Sequence, residues 1–136
     1  MFRLLMFSLM VLPAFVLSQK TVNLYIVEGE VNESNGFVPY FTFSTTGSFD
    51  SSNAVLRFDL GEVVTFNVKN ETDFTCAFSI TDHGQIEGIP MGETQSITVT
   101  FSQEGTFLFE DPFNDHRALG LGGMVVVSDF SGPEFY

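Results

Sequence analysis

The chain has no tryptophan, a single cysteine and only 5 lysines and arginines in 136 residues. One cysteine excludes an intrachain disulfide framework and any zinc site built from cysteine pairs. Against so few cations stand 17 aspartates and glutamates, for a formal net charge of −12. That balance offers no electrostatic footprint to nucleic acid or to an anionic lipid surface, and both are excluded as partners. No apolar run reaches the roughly 20 residues of a membrane-spanning helix, and no segment sustains a helical period. Phenylalanine is what the chain has in quantity: 17 residues, in a composition that is 44% hydrophobic. This is enough for one well-filled core and argues against disorder.

At the start, Arg3 precedes an apolar run from Leu4 to Leu17 broken only by Ser8 and Pro13. Val16-Leu17-Ser18 then sets modest side chains three and one residues before Gln19. This is the three-part pattern of a secretory signal peptide cleaved after Ser18. The expected organisation is residues 1–18 as signal and 19–136 as a single domain. That domain is expected to be secreted, extracellular or periplasmic, and to be clear of the membrane once the signal is removed. In an oxidising compartment the lone Cys76 is a buried thiol, an intermolecular partner or a metal ligand. Asn32-Glu33-Ser34 and Asn70-Glu71-Thr72 match the N-glycosylation pattern.

From Gln19 onward, short runs rich in Val, Phe, Thr and Ile recur between Gly, Asn, Asp and Pro, which reads as strands and turns. Strands are expected at Thr21–Val27, Val38–Ser44, Ala54–Asp59, Val63–Lys69, Thr75–Thr81, Gln95–Phe101, Thr106–Glu110 and Met124–Ser128. Several alternate with period two: Val64, Phe66 and Val68 against Thr65, Asn67 and Lys69, then Ile97, Val99 and Phe101 against Thr98 and Thr100. The expected fold class is all-β, a Greek-key antiparallel sandwich or barrel of about eight strands. Phenylalanine then fills the space between two packed sheets. Asp82–Thr94 and Asp111–Gly123 read as non-strand segments, and long loops of this kind carry function disproportionately.

Three stretches carry a family resemblance: Gly61-Glu62-Val63-Val64-Thr65-Phe66, Gly105-Thr106-Phe107-Leu108-Phe109, and Gly120-Leu121-Gly122-Gly123-Met124-Val125-Val126-Val127. In this order they resemble a cupredoxin, the plastocyanin-like copper fold, and most of all the first domain of multicopper oxidases. The resemblance runs from about Thr21 to Ser128 and implies a cupredoxin-like sandwich. It also implies positions for the two His, one Cys and axial Met of a type 1 copper site. The residues at those positions are Cys76 for the first His, Glu110 for the Cys, Phe113 for the second His and Leu121 for the Met. The trinuclear cluster of the oxidases fares no better, because Thr81-Asp82-His83-Gly84 keeps one His of a His-Trp-His-Gly motif. A standard blue-copper centre and an oxidase activity of this chain alone are therefore not expected.

What remains is a set of polar groups that the resemblance gathers at one end of the sandwich: Cys76, His83, Glu110, Asp111, Asp115 and His116. Cys76, His83, His116 and Glu110 are the candidate metal ligands, imidazole, thiolate and carboxylate being a divalent-metal donor set. The competing reading is solvated loop groups beside a buried thiol. On the strand, Cys76 shares a face with Phe78 and Ile80, which directs it into the core. No Gly-x-Ser-x-Gly elbow, phosphate-binding loop or calcium loop is present, so no catalytic residue is assigned. Two functional classes follow. The first is a secreted binding or structural module with no cofactor, whose partner is a protein or a divalent ion. The second is a copper-handling or electron-transfer protein with a non-standard site, or the isolated N-terminal domain of an oxidase-like protein.

Overall fold

The computed structural model describes residues 19–33, 36–49, 54–112 and 121–129. Nine strands make up the described fold: β1 Gln19–Glu33, β2 Gly36–Ser44, β3 Val55–Asp59, β4 Val63–Asn70, β5 Cys76–Ile80, β6 Gly84–Ile89, β7 Thr94–Thr100, β8 Gly105–Glu110 and β9 Gly122–Ser128. They form a four-stranded sheet in the order β2-β1-β4-β7 and a five-stranded sheet in the order β3-β9-β8-β5-β6. The chain crosses between sheets after β2, β3, β4, β6 and β7, so the two apolar faces are pressed together at every stage.

The sequence suggested antiparallel sheets, but the sheets are mixed. β1 runs parallel to β4 and β3 runs parallel to β9. Strands that enter a sheet from the opposite layer are not constrained to hairpin direction, so sandwich crossings produce these parallel neighbours. The ninth strand, β6, lies inside the segment read as a loop. Its only large apolar residues are Ile86 and Ile89, with glycines at 84 and 88, so the strand pattern is thin. It is an edge strand and needs to bury little else.

Alternation elsewhere works as the sequence indicates. Along β4, residues 62–70 alternate between buried and half-buried, with Val64, Phe66 and Val68 inward. Phe43, Phe66, Phe78, Phe101 and Phe109 are fully buried and meet mostly edge-to-face or tilted, with Phe43–Phe109 centroids 5.2 Å apart and Phe43–Phe78 5.6 Å. Phenylalanine thus supplies the bulk that sheets about 10 Å apart require.

Two turns lock the layers together. Gly61, at φ +92°, closes the β3–β4 turn, and Glu62 beside it is almost fully buried. The Glu62 carboxylate accepts the Asp59 N–H at 2.6 Å and meets the Lys20 ammonium at 3.4 Å. At the other end of β9, Gly123 pairs with Phe109, and a Cβ at 123 would land in the Phe109 ring. Gly123 therefore makes room for the Phe109 ring.

Candidate functional site

A buried polar cluster lies at one end of the core, built on the β4–β5 turn and the end of β8. Asn70, the last residue of β4, has no exposed surface. Its amide nitrogen donates to the Phe74 carbonyl and, at 2.8 Å, to the Ile89 carbonyl. Its amide oxygen accepts the Thr72 N–H at 2.8 Å and the Thr72 hydroxyl at 2.7 Å. Asn70 also joins this turn to the β6–β7 turn, since its backbone pairs with Glu93 and Gly92. A fully buried Asn whose amide nitrogen is committed to two backbone carbonyls is not a glycosylation acceptor in the folded protein, whatever its local sequence. Asn32, the other such position, has a side chain outside the described set.

Thr72 passes the network on to the cysteine. Its hydroxyl stands 3.5 Å from the Cys76 sulfur, and the thiol lies 3.8 Å from the Phe74 carbonyl oxygen. Cys76 is 1% exposed, as its alternation with Phe78 and Ile80 indicates. Burial pushes its thiol up from 9.0 to about 11. The Thr72 hydrogen bond works against that rise, and Asp111, near enough to hydrogen-bond the thiol, adds to it. Asp111 itself has no exposed surface, and its N–H donates to the Leu121 carbonyl at 3.2 Å. Asn70, Thr72, Cys76 and Asp111 are therefore one enclosed set of polar groups, with Leu121 buried beside Asp111's backbone.

The candidate ligands are not gathered as expected. β5 pairs with β8 so that Ser79 faces Glu110 and Ile80 faces Phe109, and Thr81 donates to Leu108. Cys76 thus lies toward the Pro112 end of β8, whereas His83 lies beyond Ile80, toward Gly105. The four residue steps from Cys76 to Ile80 alone span about 13 Å at the usual rise. His83 sits in the β5–β6 turn, its Nδ1 2.8 Å from the Thr81 carbonyl oxygen. Its ring packs against Phe107 and Phe101 at centroid distances of 4.5 and 5.0 Å. His116 and Asp115 fall outside the described residues.

Glu110 is only half-buried and is not on the inward face; Asp111 is. The signal was present in the period-two run Phe107, Phe109, 111, which puts position 111 inward and 110 outward. Among the described residues, no group of three or more His, Cys, Asp and Glu is placed to hold a metal ion.

No family model matches the chain, and no curated protein matches it. Solved structures do match. A copper nitrite reductase from Nitrosomonas europaea superposes with a TM-score of 0.72 at 22% identity, over 86% of this chain and 45% of that one. A multi-copper oxidase from Pseudomonas thermotolerans gives 0.72 at 13% identity, over 88% and 32%. A laccase from Botrytis aclada gives 0.69 at 16% identity, over 87% and 23%. The chain spans less than half the length of each of these proteins. At such identities the likeness is one of fold: the protein is a cupredoxin-like sandwich of nine described strands.

Proposed function

We propose that this chain is exported and works as a binding or structural module of the cupredoxin fold, not as a type 1 copper electron carrier. The observation that carries this reading is the chemistry of the enclosed cluster. Two imidazoles and a thiolate are required of such a copper site. Among the described residues the cluster offers one thiol, which burial and Asp111 keep protonated at neutral pH, one carboxylate, and at Leu121 a side chain with no donor atom. Its hydrogen bonds are made internally, from Asn70 through Thr72 to Cys76. Such a set ties two loops together without a metal, and it does not fit a blue-copper centre.

Export and cleavage after Ser18 belong to this proposal, on the strength of the leader-like sequence. So does the partner, a protein or a divalent ion met outside the cytoplasm. A copper-handling role with a non-standard site is the second reading. It is favoured by the proximity of Cys76 and Asp111, a soft and a hard donor in one pocket. Copper titration of the chain, followed by optical spectra, decides between them. The first reading expects no intense visible thiolate-to-copper band at stoichiometric metal. Such a band, lost in Cys76→Ala, overturns it in favour of the second.

A further inference from the structure

We infer that Gln19 is a modification site: once exposed as the first residue, it cyclises to pyroglutamate. This inference rests on the proposed export and cleavage after Ser18. The structure adds the setting. β1 begins at Gln19, which pairs with Val63 at the start of β4, so the cleavage point falls at the margin of the ordered sheet. The Gln19 side chain is exposed, on the same outer face as Thr21 and Asn23. Lys20, alternating with it, is held by Glu62 at 3.4 Å and lies over the Phe58 ring at 5.8 Å.

In the reaction, the uncharged α-amino nitrogen of Gln19 attacks its own side-chain carbonyl carbon. The bond from that carbon to Nε2 breaks, and the nitrogen leaves as ammonia. A five-membered lactam remains, and no oxidant, reductant or co-reactant is consumed. The α-amino group has an ordinary pKa of about 8, so a usable fraction is uncharged at neutral pH. The lactam keeps one N–H and leaves the Gln19 carbonyl and the Lys20–Glu62 pair untouched. What it removes is the free amine that an aminopeptidase requires. β1 lies inside its sheet between β2 and β4, and trimming from residue 19 would next remove Lys20, the partner of buried Glu62.

The test is mass analysis of the N-terminal peptide from the full chain, expressed with its own leader in a secreting host. The expected peptide begins at residue 19, is lighter than its sequence by one ammonia, resists Edman degradation and is opened by pyroglutamyl aminopeptidase. A peptide that begins at Gln19 and keeps a free amine after prolonged incubation at mildly alkaline pH overturns the inference and leaves the export reading standing. A peptide that still begins at Met1 overturns the export reading and the inference with it, and one that begins at any other residue overturns cleavage after Ser18, and so the inference, while leaving export standing. Gln19→Ala, secreted in parallel, is expected to carry a free α-amine. A blocked terminus in that variant shows a different modification and also overturns the inference.

Discussion

Replacing Asn70 by alanine should be among the costliest single changes in this protein outside the aromatic core. The side chain is fully buried and serves four hydrogen bonds. Alanine would leave the Thr72 hydroxyl able to turn to the Phe74 carbonyl, which it already approaches at 3.2 Å. The Ile89 carbonyl and the Thr72 N–H have no such recourse, and both residues are almost entirely inaccessible to water. Stranding two buried polar groups at about 1–3 kcal/mol each gives a loss of about 3 kcal/mol. For a domain of this size that is a fall in Tm of roughly 12 °C. Urea unfolding and calorimetry would measure it, with Asn67→Ala as the control. Asn67 donates to Asn23 at 3.1 Å and accepts the Ser96 hydroxyl at 2.5 Å, both on the exposed face, where water replaces the lost bonds for about 0.5 kcal/mol or less. Asn70→Asp refines the test. It keeps the acceptor but turns an oxygen toward two carbonyls, so it should be destabilising at neutral pH and recover in part as acid supplies a donor proton. An Asn70→Ala loss of less than about 1 kcal/mol, no larger than the control, would refute the reasoning.

Four further outcomes are expected. Cys76, its thiol pushed up to about 11, keeps its proton when folded while the unfolded chain releases it near 9. Stability attributable to this group therefore falls as pH rises from about 9 to 11, by about 2–3 kcal/mol in the limit. Unfolding curves of wild type and Cys76→Ala should diverge across that window. At neutral pH the variant costs about 1 kcal/mol, and the native thiol labels slowly until the chain unfolds. Glu62→Ala should cost about 2 kcal/mol by removing the charged acceptor of the Asp59 N–H, whereas Lys20→Ala, whose ammonium is half exposed, should cost less than about 1 kcal/mol in the same denaturant titration. Gly123→Ala should destabilise by about 2–3 kcal/mol, because the Phe109 ring it displaces is wedged against Phe43 and Phe78. Thr42→Val should raise Tm, since the Thr42 hydroxyl is buried on β2 without a hydrogen-bond partner among the described residues, and removing it relieves a desolvation cost of about 1 kcal/mol.

The sequence by itself determined the two apolar faces. In β4 and β7, where a period of two is unbroken, the residues named as inward are the ones packed in the core, because one side of a half-buried strand must be apolar whatever its neighbours are. It also determined that Cys76 faces inward, from the company of Phe78 and Ile80. β6 was not readable, because an edge strand of six residues with two glycines hides too little apolar surface to mark a face. Only the tertiary structure decided which polar groups meet. Local pattern cannot show that β5 and β8 pair through Ser79–Glu110 and Ile80–Phe109, and this register sends His83 to one end of the sandwich and leaves Cys76 with Asp111 at the other. Nor can it show that Asn70, written as a surface acceptor motif, spends its amide on the Phe74 carbonyl and on the Ile89 carbonyl at the end of β6. Those outcomes depend on strand register across distant segments, which burial of the whole sheet sets at once and no single stretch of sequence encodes.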